Sequence, residues 1–463
     1  MRALAIFTSV SMAAAMLVAV AGVQAAPKKG QETEALTLSQ AWRAALQNDP
    51  TYQAAISERE AGQTNRAQGR AGLLPQVSAS LGRNKIRGTL EEPALFGGTR
   101  STDLDYTSST NEIRATQTVF NWSRIAEYRQ GHARADYSLA VFDTKAKDTS
   151  LRLISRYFQA LLSYENVVLT RSKLQANGKQ VTVAQRRFDS GEGTITDVRE
   201  SQSRRDLAQA DVIKAEDALV VARRELQEMV GSSPLQLTTL KPDFQPGPLT
   251  PPTQADWQAM AMKHNAEIRA GQEGVRISNQ EIDRTFGGHL PSVDLVAARR
   301  KVSAESISNR NQDSTTSSFG VQVSLPVFSG GLTSAQVTQA RHNRDRTSQE
   351  LAATRERIAV EVTRQYQGVI SGAQRIAALV TAVKSSTEAL KAIEMGYQAG
   401  TRSIVDILDA EDLLYRAQLD LTQARLQYVL ARLTLAGATS SLDASVIDDI
   451  TLAYFGPEPV VLR

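Results

Sequence analysis

Two hydrophobic rhythms alternate along this chain. Phe319, Val321, Val323 and Leu325 are interleaved with Gly320, Gln322 and Ser324, the period of two expected of a strand with one apolar and one polar face. Three other stretches carry the same pattern more weakly, so strands are predicted at about 76–86, 111–120, 292–301 and 318–328, arranged in two pairs. The segments inside each pair, 87–105 and about 304–317, are rich in Gly, Ser, Thr and Asn and read as long polar loops. Elsewhere the apolar steps are three and four. Ala208, Val212, Ala215, Leu219, Ala222 and Leu226 form a heptad seam, and Ala417, Leu421, Ala424, Tyr428, Ala431 and Leu435 form another. Alanine at every a position lets the partner helix approach closely. Helices of roughly 50 residues are predicted here, about 75 Å long at the α-helical rise. Spacing alone does not separate them from an ordinary soluble coiled coil.

The second seam lies 209 residues after the first, and other landmarks repeat at offsets of 208 to 216. RRFDSGEGTITDVRES, from Arg186, aligns with MGYQAGTRSIVDILDA, from Met395, placing Phe188 over Tyr397, Gly191 over Gly400, Ile195 over Ile404 and Asp197 over Asp406. LPQV at Leu74 answers LPSV at Leu290, Val119-Phe120 answers Val327-Phe328, and Asn48-Asp49-Pro50 answers His264-Asn265-Ala266. The chain therefore reads as a tandem duplication: a first repeat at 26–231, a linker at 232–252, a second repeat at 253–442 and a tail at 443–463. Six prolines between 231 and 252 mark the linker. Each repeat reads as helix, strand, polar loop, strand and two very long helices, a mixed α and β class.

The first 25 residues hold one Arg, an apolar run over 3–20 and small residues around Val23, Gln24 and Ala25, the layout of a secretory signal peptide. Beyond them no apolar run reaches the length of a spanning helix, so any membrane crossing must use strands closed into a barrel. Four strands cannot close one, because the smallest barrels need about eight. Several copies of the chain would have to share it, with the polar loops facing outward.

Composition narrows the function. Aromatics are only 5% and hydrophobic residues 41%, which suits long packed helices better than a compact enzyme core. Lys and Arg number 53 against 49 acids, with both signs interleaved, so no basic cluster invites nucleic acid. The glycine-rich runs at 96–98 and 191–193 lack the strand-turn-helix context of a phosphate cradle. There is no cysteine, which excludes disulfides, thiolate metal sites and a lipidated N-terminal Cys. His132, His264, His289 and His342 are scattered without a metal-binding pair or a local catalytic acid and nucleophile. No enzyme activity, metal or cofactor is expected.

The HLPSVDL run at His289, the SLPVFSGGLTSAQVTQA run at Ser324 and the GYQAGTRSIVDILDAEDLLYRAQLDLTQARLQY run at Gly396 resemble the TolC-like family of outer-membrane efflux and type I secretion channels, collinearly through both repeats. The resemblance implies a homotrimer in which each protomer gives four strands to a twelve-stranded barrel among outer-membrane lipid and helices to a periplasmic tunnel. A periplasmic membrane-fusion adaptor and an inner-membrane pump of the ABC or RND type would be its partners, drugs or secreted polypeptides its cargo. The family's gate network maps to Tyr397, Arg402 and Asp197, with Thr196 beside it, and its aspartate ring to Asp406 and Asp409. Arg186 stands where the family typically has an uncharged polar residue. Asp406 and Asp409, three apart, share a helix face; three copies would set six carboxylates around a pore, favour cations and raise some of their pKa values. The turns at Gly191, Ile195, Gly400 and Ile404 are the expected adaptor-docking tips. A soluble periplasmic coiled-coil adaptor or scaffold is the alternative, and it leaves the amphipathic strand pairs without a purpose.

Overall fold

The computed structural model describes residues 35–93, 97–232, 236–305 and 311–461; the leader read at 1–25 lies outside them. The chain runs α1 (Leu38–Asn48), α2 (Pro50–Gln63), α3 (Asn65–Ala71), β1 (Gln76–Pro93), β2 (Thr99–Phe120), α4 (Trp122–Asp189) and α5 (Ile195–Val230). It continues through β3 (Gln236–Leu240), α6 (Gln254–His264), α7 (Ala266–Phe286), β4 (Ser292–Glu305), β5 (Asn311–Ser324), α8 (Leu332–Gln398), α9 (Ile404–Ala438), α10 (Ala444–Tyr454) and β6 (Phe455–Val461). One landmark of the internal repeat has a direct cause. Asp49 accepts from the backbone N–H groups of Thr51 and Tyr52, and Asn265 from those of Glu267 and Ile268, so each caps the helix that follows.

The long helices are unequal, 68 and 36 residues in the first half and 67 and 35 in the second, rather than four of about 50. The reason is a change of partner partway along. Near its start α4 lies against α3, where Gly131 approaches Asn65 so closely that a Cβ would sit 2.5 Å from that residue's carbonyl oxygen. Further on, Arg171 reaches Glu216 of α5. Likewise α8 meets α7 at Leu351 and Gly271, then α9 at Gly372 and Tyr428. One continuous helix of about 100 Å thus serves two shorter partners. The α5 seam is buried at all six positions; on α9 five of the six are buried and Leu421 is half-buried. At about 25 cal/mol per Å² of apolar area, these seams carry much of the helical stability, because propensity alone contributes little.

β1, β2, β4 and β5 form one antiparallel sheet in that order, leaving β1 and β5 as unpaired edges. The strands are longer than predicted: pairing runs from Gln76↔Thr116 to Pro93↔Thr99, so most of 87–105 is strand, as is most of 304–317. Their distal parts are polar on one face, while in β1 and β2 the pairing gathers Ile86, Leu90, Leu104 and Tyr106 on the other. At the other end β5 stops at Ser324, short of the expected 328, because Pro326 cannot donate to the ladder; Val327 and Phe328 stand 90% and 86% exposed.

In the register of this sheet, odd-numbered residues share one face. That face is apolar near the helices, with Val77, Leu81, Ile113, Phe319, Val321 and Val323 all more than half exposed. The last apolar residues are Leu81, Ile113, Ala297 and Phe319 on successive strands. Through the pairing this boundary slides by four residues, about 13 Å, across three strand spacings of about 4.8 Å. It is a line inclined about 40° to the hydrogen-bonded rows.

The linker and tail hold structure that the sequence pattern did not reveal. β3 pairs with β6, and Leu36 adds a parallel bridge to Leu237. Beneath them Tyr157 is fully buried, its hydroxyl 2.9 Å from the carbonyl oxygen of Leu36 and 3.0 Å from that of Thr238. Phe158 stacks on Phe455, and Phe244, Tyr428 and Tyr454 form a second aromatic group.

Candidate functional site

The α4–α5 and α8–α9 connections are two copies of one tight turn. At the end of α4 the N–H groups of Glu192 and Gly193 return to the carbonyl of Arg187, and at the end of α8 the N–H of Thr401 returns to that of Gly396. Gly191 and Gly400 sit at φ +79° and +74°, with open space where a Cβ would be. Only backbone conformation demands glycine there. Each turn then starts its next helix with a reciprocal capping box. The Asp197 carboxylate accepts from the N–H (3.1 Å) and hydroxyl (2.9 Å) of Thr194, and the Asp406 carboxylate from those of Ser403 (2.8 and 2.9 Å). Those bonds, first the backbone one, hold Asp406 below its ordinary pKa, with Arg402 adding a smaller attraction. Arg402 folds back on its own turn, its Cγ 2.8 Å from where a Cβ of Gly396 would be. Thr196 is exposed and Asp197 partly so.

Among the described residues, then, Asp197 and Arg402 serve their own turns within the chain, and neither is bonded to Tyr397. Tyr397 meets Arg187 instead, whose guanidinium carbon lies 4.7 Å from the ring centroid. Beside the Tyr397 phenol and in the field of Glu192 and Asp197, Arg187 is held above its ordinary pKa. Ile404 is 1% exposed, packed with Ile407, Leu408 and Ile393, whereas its counterpart Ile195 is 48% exposed. Of the two isoleucines expected at the docking tips, the side chain of Ile195 is exposed and that of Ile404 forms the floor of the second turn.

Behind the turns three links join the two hairpins. Arg204 Nη2 lies 3.0 Å from Asp409, while its Nε reaches Glu200. Lys173 Nζ lies 2.6 Å from Asp412, and Gln180 donates to Glu411 at 3.3 Å. Burial alone would raise Asp412, but Lys173, Arg416 and Arg204 outweigh it and leave the carboxyl below its usual range. The Lys173–Asp412 pair is the stronger, with side chains 24% and 17% exposed against 35% and 60% for Arg204–Asp409. Sequence reasoning reached Asp409 but missed Arg187, Arg204, Lys173, Glu411 and Asp412. Each lies on a helix face rich in charge, and only the packing of one hairpin on the other selects its partner.

Comparison with known proteins agrees with this architecture. The outer membrane efflux protein family matches residues 41–232 and 257–441. The proteases secretion protein PrtF of Dickeya chrysanthemi is 33% identical over 93% of this chain and 94% of its own. The alkaline protease secretion protein AprF of Pseudomonas aeruginosa is 32% identical over 94% and 90%. Among solved structures, the outer membrane protein VceC of Vibrio cholerae superposes with a TM-score of 0.74 at 17% identity, covering 88% of this chain and 97% of that one. A soluble scaffold does not account for a match that runs through both halves and both strand pairs, and the chain belongs to the outer membrane efflux protein family.

Proposed function

We propose that three copies of this chain form a passive exit duct for secreted polypeptides, delivered by an ATP-driven inner-membrane exporter through a periplasmic adaptor. The observation that carries the cargo assignment is the 32–33% identity, over nine-tenths of each chain, to two proteins named for protease secretion. Three features support shared assembly. The sheet has two unpaired edges, which lipid does not tolerate. The oblique apolar boundary on its odd-numbered face becomes level with a membrane surface if the strands tilt by about 40°, the tilt of a closed barrel. On α5, Leu207, Ile213, Val220 and Val221 stand 53–64% exposed, away from the buried seam, and a neighbouring copy would cover them.

In that assembly the repeats are divided at 232–252. Asp406 and Asp409 ring the periplasmic constriction, Tyr397, Arg402, Thr196 and Asp197 belong to the network that closes it, and the adaptor docks at the turns of Gly191, Ile195, Gly400 and Ile404. The test is complementation. Supplied to cells that keep a protease exporter and adaptor but lack the outer-membrane component, the chain is expected to restore extracellular protease. Restored drug resistance without protease release would reassign it to small-molecule efflux.

A further inference from the structure

The odd-numbered face of the sheet carries a second feature beyond its apolar band. On β1 the residues after Leu81 on that face are Arg83, Lys85 and Arg87, and on β4 those after Ala297 are Arg299 and Lys301. The register brings the two groups together. Arg83 opposes Ser109, which opposes Ser303, so Arg83 lies about 10 Å across the sheet from β4 and one step beyond Lys301. All five are exposed. Lys85 and Arg87 share one carboxylate, Asp105, at 3.2 and 3.4 Å. Arg83, Arg299 and Lys301 make no side-chain hydrogen bond or ion pair among the described residues. The acids on the same face are Asp105 and Asp313, the latter accepting from Ser303, with Asp103 and Glu91 farther toward the hairpin end. On the opposite face the same rows hold Gly82, Asn84, Thr110, Val302 and Ser314 with a single cation, Arg300, which the register sets across from Glu112, and Arg114 in the next row is paired with that same Glu112. The larger positive excess lies on the odd-numbered side of the sheet.

We infer that this belt is a binding site for the phosphate groups of anionic lipid in the outer leaflet. The inference rests on the barrel reading, in which the odd face meets lipid and the hairpin ends face outward. A cation set immediately beyond the apolar boundary stands at headgroup depth, where the anion available is lipid phosphate. The alternative for such side chains is solvation by water at the rim, which requires no phosphate. With three copies, the belt recurs around the barrel and holds lipid against it.

The chain has no cysteine, so a single Val321→Cys substitution marks the apolar band. Purified protein in nanodiscs is offered diphosphoryl lipid A or its dephosphorylated form, and bound lipid is counted by native mass spectrometry. Wild type is expected to prefer the diphosphoryl form, and Arg83→Gln, Arg299→Gln, Lys301→Gln together to lose that preference, by about fivefold per cation. Conductance and trimer content should stay unchanged. An equal preference in the triple variant, or none in wild type, overturns the site while leaving the duct intact. In the Val321→Cys variant, labelling of the introduced thiol by a water-soluble but not a membrane-soluble maleimide would overturn the barrel reading itself and the lipid site with it.

Discussion

At Glu411 burial and charge pull against each other. The side chain is 5% exposed, one oxygen accepts from Gln180 and the other has no hydrogen-bond partner. Burial first, with the nearby charge of Glu394 adding to it, raises its pKa above the ordinary 4.5 against smaller opposing effects of Gln180 and Lys179. A carboxyl whose folded pKa is raised gives its full stability below the unfolded value and loses it as pH rises through the folded one. Glu411→Gln is therefore expected to stabilise the protein by about 1 kcal/mol at pH 7, the gain shrinking as pH falls through the raised folded pKa toward the ordinary value of 4.5. Thermal unfolding of both forms across pH 4–8 measures this; a gain that grows on acidification would contradict it. Glu411 was not legible in the sequence, because a glutamate between two aspartates of a helix reads as solvated until a second hairpin covers it.

Among the elements, the turns and the helices make opposite demands of the same residue type. Gly178, inside α4, and Gly400, in the α8–α9 turn, both have open space where a Cβ would go. At Gly178 alanine removes unfolded-state freedom without strain, so Gly178→Ala should stabilise by about 0.5–1 kcal/mol. At Gly400, with φ at +74°, alanine meets the left-handed penalty and should destabilise the turn by about 1–2 kcal/mol. Hydrogen exchange of the amides of Thr401 and Asp406 reads the second effect locally, and protection equal to wild type would show that the turn tolerates a side chain. A loss of export on substituting Gly400 is then assigned to adaptor docking only if Gly400→Ala retains it. The turn glycines Gly191 and Gly400 and the seams were visible in the sequence, because each follows from spacing within one element. The distal strands were not, because the few apolar residues there, Ile86, Leu90, Leu104 and Tyr106, sit among Gly, Ser and Thr that read as loop until the pairing gathers them on one face.

On the scale of the molecule, the links between hairpins govern how far the two can separate. Lys173–Asp412 is half-sheltered and Arg204–Asp409 more exposed, so the first should dominate. Replacing both cations, Lys173→Met and Arg204→Met, is expected to raise single-channel conductance several-fold in planar bilayers, with Lys173→Met alone giving most of the effect. Unchanged conductance in the double variant would remove these links from the gate. A companion variant, Asp406→Ala with Asp409→Ala, should weaken cation preference, because it takes charge from the proposed constriction.

The heptad seams, the two glycine turns and the paired strands could be read along the chain before any fold was known. All of these depend on the period of side chains along one element or on the φ one residue permits, and both are written locally. Which charges meet is set by packing. It set Arg187 on Tyr397, Arg204 on Asp409 and Lys173 on Asp412, and it used linker and tail as paired strands over Tyr157. Those contacts join residues tens to hundreds of positions apart, and their partners are chosen by how whole helices pack.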